Sequence, residues 1–181
     1  MEYVDFHSHI LPHMDDGSKN PEMSSEMLEM LEEEEVCVVF ATPHYYCYRE
    51  SEASFLTRRA DAFRALLGGI RETDREFTGP EIRLGAEIRL IREMPESLEI
   101  EPLMLEGTNL ALFELPFDKY DVCMGENIHN LSVKYQLLTS SDMSDCSGKA
   151  TMKNCFPFQT PFIRSARTLW SRKKRRNSSP G

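Results

Sequence analysis

His7-Ser8-His9 is the first stretch of the chain equipped for chemistry. Residues two apart on a strand face the same side, so both imidazoles can grip one divalent ion, with Asp5 below them on that face. Imidazole suits zinc, iron and manganese alike, so this spacing does not choose the metal. On its own the pair reads equally well as two surface histidines. Asp15-Asp16-Gly17 offers a carboxylate, the hard oxygen donor wanted where two or more cations share a pocket. By itself that tripeptide is an Asx turn before a helix. Thr42-Pro43-His44 adds a third histidine just after an apolar run, where a lone imidazole is more often structural. Glu87 and Glu114 end otherwise apolar segments, and burying either costs several kcal/mol unless a cation neutralises it.

The remaining candidates carry less. His13 lies in the same loop as Asp16, while His129 falls on a polar helical segment and is expected to be exposed. Tyr45, Tyr46 and Tyr48 are placed either to wall a cleft beside His44, where they would stack on an aromatic substrate, or to anchor the loop. Met23, Met27 and Met30 recur on one helix face and are expected in the core, and Glu32–Glu35 is a solvated helix end. No G-x-S-x-G, G-x-G-x-x-G or P-loop pattern occurs, and Cys37, Cys47 and Cys123 have no arginine six residues on. A phosphatase with this sequence has to be a metal-dependent one.

The elements that would position these groups alternate. Tyr3–Phe6 reads as a strand leading into a loop with Pro12 and Gly17. Asn20 then caps a helix over 21–34 that has Pro21 at its first position. Val36–Ala41 is an apolar run of strand length, as a strand buried on both faces requires. A second helix is expected over about 52–75. Strands follow over 82–88 and 109–115, and then a helical stretch with Ile128, Leu131, Tyr135 and Leu138. Strand and helix in turn mean βα units around a parallel sheet or barrel. His7, His9, His44, Glu87 and Glu114 all lie at or just past strand C-terminal ends, the rim that carries the active site in parallel barrels.

Composition narrows the class. The 181 residues are 40% hydrophobic and 28% charged, ordinary for a soluble domain. No apolar run approaches the ~18–20 residues of a membrane span. The start, Met1–His9, lacks the regions of a signal peptide. Five cysteines without a C-x-x-C pair point to a reduced, cytoplasmic chain. Residues 140–181 hold nine Lys/Arg against two Asp/Glu, leaving 12 basic and 28 acidic residues elsewhere. An acidic body argues against nucleic acid as its partner.

Asp5–Pro12, Asp15-Asp16-Gly17, Ala41–Tyr45 and Gly85–Ile88 together resemble the polymerase-and-histidinol-phosphatase (PHP) superfamily, over residues 1 to about 138. Within it the chain is most similar to the bacterial protein-tyrosine phosphatases encoded with capsule and exopolysaccharide genes. The resemblance implies an α/β fold, a distorted TIM-like (β/α)7 barrel with a trinuclear site that is usually manganese. By matched motif, His7 and His9 would bind one ion and Glu87 would bridge it to a second. Glu114, in Leu112–Phe117, would be a further ligand, and Asp16 and His44 would hold the third. No side-chain nucleophile is implied: the metals would activate water for in-line attack on phosphorus and share the developing charge. The implied substrate is a phosphotyrosine protein, an autokinase that regulates polysaccharide export. Another PHP phosphoesterase, such as a histidinol-phosphate phosphatase, or an inactive remnant that binds metal or partner without turnover, are the alternatives.

The chain departs from this pattern after residue 138. The family's later His-x-Glu-Arg and Asp-x-His motifs have no counterpart, since no histidine follows His129. Residues 139–181 are Ser-rich and aperiodic and include Arg172–Arg176. They read as a disordered or non-native tail left by a frameshift near codon 139, in preference to a nuclear-localisation or anionic-surface patch. A barrel incomplete at its C-terminal end would expose two sheet edges and lack part of its ligand set.

Overall fold

A computed structural model of the chain describes residues 3–72, 77–115 and 122–137; the basic tail and Leu138 lie outside them. Strand β1 (Tyr3–Ser8) leads through a loop to helix α1 (Pro21–Glu33) and then to strand β2 (Val36–Ala41). The Asn20 side chain accepts the Met23 N–H at 2.8 Å, and Pro21 occupies the first helical turn. Such a cap is worth about 1 kcal/mol. Along α1 the buried positions are Ser24, Met27, Leu28, Met30 and Leu31. Met23 is only half-buried, and its sulfur sits 3.4 Å from the Lys19 N–H. The expected core position is thus taken by Ser24, whose hydroxyl donates to the Ile10 carbonyl at 2.6 Å and ties the helix to the loop after β1.

The chain continues with β3 (His44–Tyr45), α2 (Glu52–Glu72), β4 (Glu81–Leu84), β5 (Glu87–Arg89), a 3-10 turn over Glu101–Leu103, β6 (Leu112–Glu114) and α3 (Val122–Tyr135). All strand pairing is parallel, in two three-stranded sheets ordered β1-β2-β4 and β3-β5-β6. No closed barrel forms among the described residues. β2 is buried along nearly its whole length, as its unbroken apolar sequence requires. Its Val39 and Ala41 join the main core with α1 and α2, while Val38 and Phe40 pack with Val4 and Leu105.

Two expectations are corrected. The strand read over 82–88 is two strands in different sheets, broken at Gly85-Ala86. A Cβ on Gly85 would lie 2.6 Å from Leu105 Cδ2, so the chain at the break passes too close to the core for a side chain. The strand read over 109–115 shrinks to Leu112–Glu114, because the preceding residues form a turn in which the Leu105 N–H donates to Leu110 O at 2.9 Å.

β2 and β4 break in the same way, each resuming after two intervening residues as a strand of the second sheet, β3 and β5. Backbone bonds bridge the seam: Thr42 N–H to Ser8 O at 2.8 Å, Gly85 N–H to Ala41 O at 2.9 Å and Glu87 N–H to Pro43 O at 3.0 Å. From α2, Arg59 donates to the Gly85 carbonyl at 2.7 Å and pins the break. The seam is where the sequence's polar candidates gather.

Candidate metal centre

His7 lies near the end of β1 and His9 just past it, their Nε2 atoms 3.0 Å apart. Asp5 is buried below, and its Oδ1 accepts the His7 N–H at 3.1 Å. Across the seam His44 and Glu87, the first residues of β3 and β5, are register partners. Glu87 Oε2 lies 3.2 Å from His7 Nε2, 3.4 Å from His9 Nε2 and 3.0 Å from His44 Nδ1. Glu114 Oε2, at the end of β6, is 3.4 Å from His44 Nδ1. The more exposed Asp16 reaches the opposite ring nitrogen of His44 at 3.5 Å.

All six residues singled out as ligands thus converge. Two groups have donor atoms close enough to share an ion: His7, His9 and Glu87, and His9, Asp16 and His44. His44 Nδ1, Glu87 Oε2 and Glu114 Oε2 are buried, yet none makes a hydrogen bond of acceptable geometry. Buried polar atoms left unsatisfied cost free energy, and three at one point are what divalent cations would relieve. Imidazole and carboxylate donors without thiolate suit manganese, iron or zinc.

Electrostatics point the same way. Burial disfavours the charged forms here, but the contacts override it. Asp15 and Glu87 lift His9 to about 9 against its burial. Glu87 lifts His44 as well, and the three imidazoles hold Glu87 far below the usual carboxylate range. The cluster is built to hold positive charge at its centre.

Two contributors escape the sequence reading. Asp15, the neighbour of the chosen Asp16, lies 2.7 Å from His9 Nδ1 through Oδ2, and the same atom accepts the His44 N–H at 2.9 Å. With a cation bound, a carboxylate there would keep the remaining proton on Nδ1 and turn the Nε2 lone pair toward His7 and Glu87. Arg89, two residues beyond Glu87 on β5, pairs with Glu114 Oε1 at 2.7 Å and fixes that carboxylate. Alternation along a strand places Arg89 on the face of Glu87, the one signal available in the sequence. His13 and His129 are exposed and belong to neither metal group. Tyr45 is buried against Phe55 with ring centroids 5.0 Å apart, so it anchors the loop and walls no cleft.

Asp15→Asn keeps the shape but allows the amide N–H to face His9 Nδ1. Metal affinity is expected to fall about 10- to 100-fold, the usual cost of losing an orienting carboxylate. Calorimetric titration of both proteins with manganese measures it, and equal affinities would contradict the role given to Asp15.

Among the described residues no helix is long and apolar enough to cross a membrane. The tyrosine-protein phosphatase YwqE of Bacillus subtilis (strain 168) is 31% identical over 134 residues, 72% of this chain and 50% of YwqE. Among solved structures, a chain from the crystal structures of YwqE from Bacillus subtilis and CpsB from Streptococcus pneumoniae, described as unique metal-dependent tyrosine phosphatases, is similar at a TM-score of 0.57. Identity there is 27%, over 73% of this chain and 52% of that one. The chain spans about half the length of the relatives it matches. Residues 3–136, which carry every residue of the cluster, match the sequence profile described as "Capsular polysaccharide synthesis, CpsB/CapC", and the chain belongs to that family.

Proposed function

We propose that this protein is a manganese-dependent protein-tyrosine phosphatase acting in capsular or exopolysaccharide synthesis. The observation that carries the reading is the convergence of three imidazoles and three carboxylates on buried, unsatisfied atoms at the seam. The similarity to tyrosine phosphatases supports the substrate class. In this reading His7, His9, Asp16, His44, Glu87 and Glu114 would hold the metal ions. Bound divalent ions would supply a Lewis acid for the phosphoryl oxygens and a water with a pKa lowered to about 7. The chain's own residues position that chemistry. Asp15 orients His9, Arg89 fixes Glu114, and the apolar residues behind the seam keep bulk water from the rear of the cluster.

The two sheets are then parts of the wall of a distorted (β/α)7 barrel of the PHP type. Residues 1–138 form the catalytic unit, and 139–181 are a separate basic segment. The substrate is a phosphotyrosine protein of the cytoplasm, a tyrosine autokinase of the export machinery. The test is an assay of the full chain on a phosphotyrosine peptide with manganese. Phosphate release that stops on chelation and returns with manganese supports the reading. No release above the metal-only blank would overturn it.

A further inference from the structure

Between β3 and α2 the chain runs Tyr45-Tyr46-Cys47-Tyr48-Arg49-Glu50. Tyr45 serves as the buried anchor of this loop, which leaves Tyr46 and Tyr48 without that task. The Tyr46 ring stacks on His44, with centroids 5.4 Å apart and planes 24° from parallel. Tyr48 lies 5.7 Å further on, and its side is 58% exposed. The Arg49 guanidinium sits 4.4 Å from the Tyr46 centroid and 5.6 Å from that of Tyr48. Among the described residues no carboxylate pairs with it. Flat groups therefore run from a nearly buried member of the metal cluster out to the surface.

The loop is held in place before anything binds. Arg49 N–H and Glu50 N–H both donate to the Tyr46 carbonyl, at 2.9 and 3.3 Å. The Glu50 carboxylate accepts from Arg58 Nε at 3.1 Å, and Arg58 also reaches the Met14 carbonyl in the loop that carries Asp15 and Asp16. An exposed aromatic ring and a guanidinium without a carboxylate partner, held next to the cluster through the Tyr46–His44 stack, fit a planar ring whose substituent points inward.

We propose that Tyr46, Tyr48 and Arg49 form a subsite for the aryl ring of the phosphotyrosyl substrate, and so select aryl over alkyl phosphoesters. This rests on the phosphatase reading above and adds the residues that set its specificity. Tyr46 packs on His44, so the test uses the exposed pair. The manganese-loaded full chain, Tyr48→Ala and Arg49→Ala are each titrated calorimetrically with inorganic phosphate, O-phosphotyrosine and O-phosphoserine. The unaltered chain should prefer phosphotyrosine, and each variant should lose about 3- to 10-fold of that preference. Variants that keep the preference, or an unaltered chain that shows none while binding phosphate, overturn the subsite and leave the phosphatase reading standing. An equal loss toward all three probes assigns Arg49 to the phosphate and also overturns it. A chain that binds none of the three, phosphate included, removes the phosphatase reading and the subsite together.

Discussion

Glu87→Ala is expected to abolish the proposed manganese-dependent phosphotyrosine hydrolysis and to weaken metal binding by more than about 100-fold, the upper end of what loss of an outer carboxylate costs. One oxygen, Glu87 Oε2, faces nitrogen atoms of His7, His9 and His44 at 3.0–3.4 Å. Its removal leaves three imidazoles converging without the anion that offsets cationic charge in a buried site. Glu87→Gln tells charge from shape: it fills the same space but carries no formal charge, and it too is expected to lose most of the affinity. Circular dichroism of each variant checks that the fold persists. A Glu87→Ala protein with unchanged metal affinity and turnover would remove Glu87 from the site.

Gly17→Ala is expected to be the second most damaging change. Gly17 is needed for space: a Cβ there would lie 2.3 Å from both the Cβ and the carbonyl oxygen of His9. The loop folds back on His9 at this point, with the Ser18 N–H donating to His9 O at 3.0 Å and the Gly17 N–H to Asp15 Oδ1 at 2.9 Å. Neither side is the far end of a flexible chain, so backbone has to move. Overpacking of this kind costs about 1–3 kcal/mol. The same shift would move His9 and Asp15 together, and misplacement of about 1 Å can cost 100-fold in rate. Gly68→Ala is the contrast. Gly68 lies inside α2 with nothing within 4 Å of its would-be Cβ, so alanine there should stabilise by about 0.5–1 kcal/mol. Urea unfolding of the two variants should therefore move in opposite directions. A Gly17→Ala protein as stable and as tight for manganese as the unaltered chain would contradict the packing described.

Much of the fold was legible because its first half repeats strong local patterns. Asn20-Pro21 marks the start of α1, and Val36–Ala41 is too short and too apolar for a surface helix. The breaks at the seam were not legible. Ile82–Ile88 reads as one strand, and the break at Gly85 is set by the approach of Leu105 and the hydrogen bond from Arg59, contacts across about 20 residues or more that local sequence does not carry. β3 has two residues, too few for any periodicity. His7, His9, His44, Glu87 and Glu114 could be named because each lies at or just past the end of a predicted strand, while Asp16 came from an acidic turn and from the PHP resemblance that sorted the set. Asp15 and Asp16 could not be told apart in their roles, since adjacent carboxylates in a turn differ only in direction: one faces inward to His9, the other outward to His44 Nε2. Tyr45 was grouped with Tyr46 and Tyr48 because composition alone does not reveal that the first of the three turns to Phe55.

Diffraction from crystals of the full chain grown with manganese, collected at the manganese absorption edge, tests the central claim most directly. The expected result is anomalous density at coordination distance from His7, His9 and Glu87, and a second peak at Asp16 and His44. Ordered crystals with saturating manganese and no anomalous peak at the seam would contradict the metal centre, and with it the phosphatase built on it.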